Sequence, residues 1–302
     1  MAVHHLSWLE SGVVGGLQGV AELFPVSSLG HSVLLPAVVG GSWQRDLNVA
    51  TPESPYLAFI VGLHVATALA LIIYFWRDWV RIVKGLVSSI VTRKVENSDQ
   101  RLAWLLVLAT IPVGLVGLLA EHWFRTTLAK PNPTAVFLII NGFLLLGAEV
   151  LRRRDATVDS TYVDERITGP ESDKRLAGLP VLPAVAIGAS QIFALAPGIS
   201  RSGIAMVSGL LRGLSREDAA RFSFLLATPV ILAAGALKLG DLSGPLGNGI
   251  RGQVLFGSLL SGIGAYLSVR FLTRYLSNRS LRPFGIYCIA AGLASLIYLA
   301  VR

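Results

Sequence analysis

The chain has 302 residues, of which 53% are hydrophobic and only 15% charged. A soluble domain carries about a quarter charged residues, so this composition excludes an ordinary soluble globular protein and points to an integral membrane protein with several spans. The formal net charge of +8 sits in short basic loops beside apolar runs. That is the positive-inside pattern, it suits anionic lipid head groups, and it argues against nucleic acid as a partner.

Residues 6–39 are apolar but broken at Phe24-Pro25. The N-terminus lacks a Lys/Arg segment and Glu10 interrupts the apolar stretch, so it does not read as a signal peptide. Spanning helices need about 20 mostly apolar residues. Residues 55–76, 102–121, 133–151, 216–239, 252–271 and 281–301 qualify. A second broken region, residues 179–211, is interrupted at Ala196-Pro197-Gly198. Each half of a broken region is too short to span, so each region reads as a re-entrant helix pair, tolerable only inside protein or beside a water-filled cavity.

Loop charge sets the orientation. Residues 77–101 carry Arg77, Arg81, Lys84, Arg93, Lys94 and Arg101; a second basic loop begins with Arg152, Arg153 and Arg154; a third holds Arg274, Arg279 and Arg282. All three are expected in the cytoplasm, and the connection 240–249, without Lys or Arg, outside. The expected fold is therefore an all-α polytopic membrane protein with six transmembrane helices and two re-entrant helix pairs in an inverted-topology repeat. The first repeat is 1–151, the polar cytoplasmic loop is 152–178, and the second repeat is 179–302. Trp76, Trp79, Trp104 and Trp123 lie near span ends as an aromatic belt should. The single Cys288 reads as a buried small residue. The Gly-rich residues 257–264 would let helices pack closely, and a homodimer is carried as an expectation.

Polar groups inside apolar segments mark function. Gln18 and Glu22, four apart, share one face of a helix. Pro25, Ser27, Ser28, Gly30 and His31 follow. Ser27 or Ser28 can cap the next half-helix, and His31 lies close enough to serve as acid or base beside a hydroxyl. In the second break Gly198, Ser200, Arg201 and Ser202 offer helix N-terminal N–H groups, hydroxyls and a guanidinium fork, an anion cradle. Arg201 pairing structurally with Glu22 is the plainer reading. One break thus brings a carboxylate, hydroxyls and an imidazole, the other an anion site, which suits cleavage of a phosphate ester or anhydride. Glu22 with Gln18 could also hold a hard divalent cation. His64, Thr67 and Asn141 read as interhelical hydrogen-bonding groups, with His64 the first to promote. Glu149 and Lys238 read as snorkelling side chains near span ends.

These residues resemble the undecaprenyl-diphosphate phosphatase family, the BacA-type bacitracin-resistance proteins. The resemblance covers nearly the whole chain. It is carried by Gln18-x-x-x-Glu22, Pro25-Val-Ser-Ser-x-Gly-His31, His64-x-x-Thr67, Pro197-Gly-x-Ser-Arg-Ser202, Phe222-Ser-Phe-Leu-Leu-Ala-Thr-Pro229 and Arg282-Pro-Phe-Gly-Ile-Tyr287. It implies a bacterial plasma-membrane enzyme that removes one phosphate from undecaprenyl diphosphate, recycling the lipid carrier of peptidoglycan synthesis. It further implies dependence on Mg2+ or Ca2+ and an active site open to the outer, periplasmic side. By position, Ser28 becomes the expected nucleophile, His31 its acid/base partner and Arg201 the phosphate clamp. Glu22 and Gln18 form the expected metal pair, with Ser27, Gly198, Ser200 and Ser202 at the substrate and His64 in support. Gln18 stands where Glu is common, and Ala205 where the family pattern has Thr. The same architecture would also suit a polyprenyl-phosphate transporter.

Overall fold

The computed structural model describes residues 6–47, 55–155, 170–243 and 249–301. Among the described residues every regular element is a helix, as an apolar surround demands of a chain that must satisfy its own backbone. The first half runs α1 (Trp8–Ala21), α2 (Ser28–Val39), α3 (Gly41–Asp46), α4 (Pro55–Tyr74), α5 (Trp76–Thr92), α6 (Ser98–Leu128) and α7 (Pro131–Asp155). Then come α8 (Pro170–Ala177), α9 (Val181–Ser190) with a 3-10 turn (Gln191–Leu195), α10 (Arg201–Leu210), α11 (Arg216–Ser243), α12 (Arg251–Asn278) and α13 (Arg282–Val301). Glu10, which interrupts the first apolar stretch, belongs to a capping box. Ser7 accepts from the Glu10 N–H while the Glu10 carboxylate accepts from the Ser7 N–H, so two orphan donors of the helix start are satisfied.

Among the described residues five helices, α6, α7, α11, α12 and α13, are long and apolar enough to cross a membrane, and the number reaches seven if two bent pairs are each one span. The chain is a multi-pass membrane protein. Each of the six segments expected from hydropathy falls on one long helix. The segment at 55–76 is α4, 20 residues or about 30 Å long, which turns by 89° into α5. The basic stretch after it is therefore not a loop. α5 is amphipathic: it exposes Val83, Val87, Ile90 and Val91 and buries Asp78, Ile82 and Ser89.

Polar contacts fix which helix ends meet. Glu149, near the end of α7, accepts two hydrogen bonds from Arg216 at the start of α11 (2.8 and 2.6 Å) and one from the Leu281 N–H just before α13 (3.0 Å). Arg221 of α11 and Arg81 of α5 both bind Asp173 of α8 (2.8 and 2.6 Å), and Arg81 also reaches Asp78 and Asp99. Tyr74, ending α4, meets Thr273 near the end of α12 (2.9 Å). One end of the molecule thus gathers the C-termini of α4, α7 and α12 and the N-termini of α6, α11 and α13. The expectation that Glu149 snorkels is corrected here. It is fully buried, because the Arg216 fork and a backbone amide supply the partners a buried carboxylate requires.

Small residues let the short broken helices lie against long ones. α1 packs along α12, with Gly15 on Gly257 and Gly19 on Ser261; α9 packs along α6, with Gly188 on Ala109. A Cβ at any of these three glycines would strike the facing backbone. The Gly-rich stretch of α12 is therefore occupied inside the chain, by α1 and by Phe59 of α4. Of the expected features, loop residues 156–169, the side chains of Arg152, Arg153, Arg154 and Lys238, and residues 244–248 of the outer connection lie outside the described residues.

Candidate active site

The first break follows α1. Glu22 is its C-cap, and the chain passes Phe24-Pro25 before α2 begins. Ser27 caps α2 with φ 67° and ψ 94°, a left-handed conformation uncommon for a side-chain-bearing residue. Its Oγ accepts from the Gly30 N–H (3.2 Å) and from the Gly198 N–H of the second break (3.1 Å). The second break follows the 3-10 turn. Gly198 takes φ +108°, where a Cβ would strike the Thr134 carbonyl. Ser200 caps α10, its Oγ accepting from the Gly203 N–H (3.1 Å).

Asn141, in the middle of α7, holds the two breaks together. Its Nδ2 donates to the Pro25 carbonyl and its Oδ1 accepts from the Ser200 N–H, each at 3.0 Å. Ser202 adds a bond to the Phe24 carbonyl (3.3 Å) and one shared with Ser200 (3.0 Å). Asn141 and Thr67 are thus the interhelical groups expected of them, with Thr67 on Ser261 at 3.1 Å. Cys288 is buried beside Asn141 (3.3 Å).

Four side chains converge on the buried Glu22 carboxylate. Ser28 Oγ donates to Oε2 at 2.5 Å and Gln18 Nε2 at 2.9 Å. His64 Nε2, from α4, stands 3.3 Å from the same oxygen, and Arg201 Nη2 donates to Oε1 at 2.8 Å. His64 Nδ1 faces the Ile60 carbonyl at 2.8 Å. Nε2 is therefore the nitrogen turned to the Glu22 carboxylate.

Glu22, Ser28, His64 and Arg201 line a cavity of about 270 Å³, with Ser27, Ser200 and apolar side chains completing the wall. In its wall Arg201 Nη1 is buried and has no hydrogen-bond partner among the described residues; Gln18 Oε1, on a residue that bonds Glu22 but does not line the cavity, is likewise unpartnered. Unpartnered buried groups in a functional cavity are sockets for a ligand. Nη1 offers a donor to an anion. Gln18 Oε1 and the Glu22 carboxylate are hard oxygen ligands. Among the described residues no three His, Cys, Asp or Glu gather as a metal cage. A carboxylate and an amide oxygen are the kind of donors a hard divalent cation takes.

The expected site residues divide accordingly. Glu22, Ser28, Arg201, Gln18 and His64 come together. Gly198 and Ser202 bind the breaks to each other, while Ser27 and Ser200 do so from the cavity wall. The expected Ser28–His31 pair is not formed, which corrects the sequence reading. His31 Nδ1 faces the Ser27 carbonyl (2.8 Å), and Nε2 meets the Tyr287 hydroxyl (2.7 Å) against a stacked ring. Both nitrogens are engaged away from the serine because His31 sits on the face of α2 that meets α13. Sequence already marked His64 as an imidazole inside an apolar span, but its contact with Glu22 depends on how α4 packs.

The family model for the bacitracin resistance protein BacA matches residues 11–294. An undecaprenyl-diphosphatase of Mycolicibacterium paratuberculosis is 63% identical, covering 99% of each chain. One of Mycobacterium avium is 62% identical over 98% of this chain and 99% of its own. A Frankia casuarinae protein named undecaprenyl-diphosphatase 1 is 48% identical, over 95% of this chain and 96% of its own. With matches of this length and identity, the chain belongs to the BacA family of bacitracin resistance proteins.

Proposed function

We propose that this protein removes the terminal phosphate of undecaprenyl diphosphate, returning undecaprenyl phosphate to peptidoglycan synthesis and conferring bacitracin resistance. The observation that carries this is a hydroxyl held on a buried carboxylate, facing a guanidinium with a free donor, in a cavity between membrane helices. A phosphoryl group needs little beyond that: a positioned nucleophile, a base, and positive charge where the transition state develops negative charge.

In the mechanism this geometry supports, the polyprenyl tail lies among the helices and the diphosphate enters the cavity. Arg201 binds a phosphoryl oxygen through Nη1 while Nη2 stays on Glu22. Ser28 Oγ attacks the terminal phosphorus, and its proton passes to Glu22, whose charge His64 balances. The bond from that phosphorus to the bridging oxygen breaks, and undecaprenyl phosphate leaves with the electron pair. Water then attacks the phosphoserine; Glu22 returns its proton to the departing Ser28 Oγ and takes one from the water, phosphate leaves, and that last proton passes to solvent. Glu22 and Gln18 would hold a divalent cation, Mg2+ or Ca2+, which supplies further charge neutralisation at the phosphates. Direct attack by water with Glu22 as base is the competing route. Labelled phosphate trapped on wild type but not on Ser28→Ala supports the serine, and a fully active Ser28→Ala enzyme rejects it.

The architecture we infer has six spans, α4, α6, α7, α11, α12 and α13, and two re-entrant pairs, α1/α2 and α9/α10, with α5 along the membrane surface. Residues 1–151 and 179–302 are the inverted repeats, joined by 152–178. Three observations support this. The three long helices of each half run in opposite senses in sequence order, judged by which ends meet. The pairing of α1 with α12 has its counterpart in α9 with α6. The change in residue number that carries Ser27 onto Ser200 also carries the start of α1 onto that of α9. The end rich in Arg faces the cytoplasm of a bacterial plasma membrane. The cavity reaches Phe124 and Ala129 at the far end of α6, which supports opening toward the outer side. A lipid carrier of this architecture needs an anion site but no hydroxyl poised on a carboxylate, so the enzyme is the better reading.

The test is phosphate release from undecaprenyl diphosphate by purified protein in detergent, with and without Mg2+, beside Arg201→Ala and Glu22→Ala. Metal-dependent release lost in both variants is expected. A well-folded wild type that releases nothing under several metals overturns the proposal.

A further inference from the structure

Four arginines at the polar end of the molecule have carboxylate partners. Arg81 and Arg221 share Asp78 and Asp173, Arg175 holds Asp218, and Arg216 holds Glu149. Three others do not. Arg270, Arg274 and Arg279, at the end of α12, line one open groove of about 540 Å³. None of the three has a carboxylate partner among the described residues. One cation at a helix C-terminus is explained by the helix dipole. Three turned into a single groove repel one another, and an anion placed among them relieves that repulsion.

The groove has a second chemistry. Arg270 and Arg274, one turn apart, stand beside a stripe of Leu267, Phe271 and Tyr275. Leu267 and Phe271 are exposed on a helix that meets lipid. Phe271 stacks on Tyr275 (5.3 Å) and on Phe24 of the first break (5.8 Å, 7° between planes), so the floor is a fixed aromatic surface. A basic head site continuous with an apolar stripe along a spanning helix matches the shape of an amphiphile, not of a free ion. Basic pockets at the cytoplasmic ends of spanning helices suit phosphate head groups, and guanidinium forks match phosphate oxygens.

We propose that this groove is a binding site for an anionic phospholipid. Its phosphate head group sits among Arg270, Arg274 and Arg279, and an acyl chain runs over Phe271 and Leu267. The site lies apart from the Glu22 cavity, and its occupancy does not depend on the phosphatase reading.

The full-length protein is reconstituted with an equimolar mixture of phosphatidylglycerol and phosphatidylcholine, re-extracted, and its retained lipids are counted by native mass spectrometry. Wild type is expected to retain phosphatidylglycerol in preference to phosphatidylcholine. A triple variant, Arg270→Gln with Arg274→Gln and Arg279→Gln, should lose that preference by about tenfold or more. A charge control, Arg77→Gln with Lys84→Gln on α5, should keep it. Arg274→Gln alone is a milder variant if the triple one unfolds, and phosphate release in detergent reports that either is folded. Equal retention in wild type and groove variants, or an equal loss in the α5 control, overturns the site. Inorganic phosphate that displaces the lipid and raises the wild-type unfolding temperature by itself overturns the lipid assignment in favour of a free anion.

Discussion

The two breaks are one backbone device carrying two chemistries. In each, a serine caps the second half-helix and its Oγ accepts from a glycine N–H three residues on, Ser27 from Gly30 and Ser200 from Gly203. In each, the next residue is the first of the helix and points at Glu22. There the halves part: that residue is Ser28 in the first break and Arg201 in the second. Gln18 and Gln191 stand the same distance before their caps, both with a buried, unpartnered Oε1. The counterpart of Glu22 is Leu195. Two breaks of like geometry thus carry unlike side chains, and in the proposed mechanism they divide the labour, with proton and nucleophile on one side and anion recognition on the other. A catalytic centre made of two unlike halves avoids burying a second unpaired carboxylate, which would be costly.

The division is most sharply broken at Arg201. Arg201→Ala removes the guanidinium partner of a buried carboxylate and the free donor Nη1 together. Phosphate release should fall about a thousandfold or more, at the upper end of what one transition-state donor supplies. Arg201→Lys should recover little of it, because one ammonium cannot hold Glu22 and a phosphoryl oxygen in a planar fork. A lysine variant within a few-fold of wild type in kcat would mean that charge alone is needed in the second break. On the other side, Ser28→Ala should lower kcat by about a thousandfold or more while leaving the unfolding temperature near wild type. The same loss accompanied by unfolding would reassign Ser28 to structure.

The link between the halves should be the next most sensitive point. Asn141→Ala leaves the Pro25 carbonyl and the Ser200 N–H without their buried partner. Each orphaned group costs about 1–3 kcal/mol, so a clear fall in unfolding temperature is expected, with a parallel fall in phosphate release as the breaks lose register. An unchanged unfolding temperature would show that the breaks are held by the Ser27 and Ser202 bonds alone.

Much of this was legible in the sequence, for identifiable reasons. Proline and glycine inside apolar runs announce the breaks, and isolated charges inside such runs announce the partners Glu22 and Arg201, whose cost in lipid leaves little else to do. What was not legible depended on side-chain direction or on packing. Ser28 and His31 are close along α2, yet spacing does not say which face each presents, and α13 takes the histidine. His64 reaches Glu22 from another helix. Glu149 looked like a snorkelling carboxylate because nothing local marks Arg216 as its partner. α5 was hidden under its basic residues, although Val83, Val87 and Ile90 recur at helical spacing and carry the signal that charge counting discards.

The smallest expected effect isolates the conformational difference between the two caps. Ser27 sits at φ 67° and Ser200 at φ −82°. A left-handed backbone costs a residue with a Cβ about 1–2 kcal/mol and a glycine almost nothing. Replacing either serine by alanine removes the cap and keeps whatever strain is present; replacing it by glycine removes the cap and the strain. Glycine should therefore be better tolerated than alanine at both positions, by about 0.5–1 kcal/mol from capping alone, and by about 1 kcal/mol more at position 27. Comparing the two differences cancels what each cap shares with the other, which no single variant achieves. Unfolding in detergent of Ser27→Gly, Ser27→Ala, Ser200→Gly and Ser200→Ala reads this gap. Equal gaps at the two caps would show that the first break carries no strain. The left-handed turn that lets Ser27 reach both Gly30 and Gly198 would then be free to form, and the tie between the halves would rest on hydrogen bonds alone.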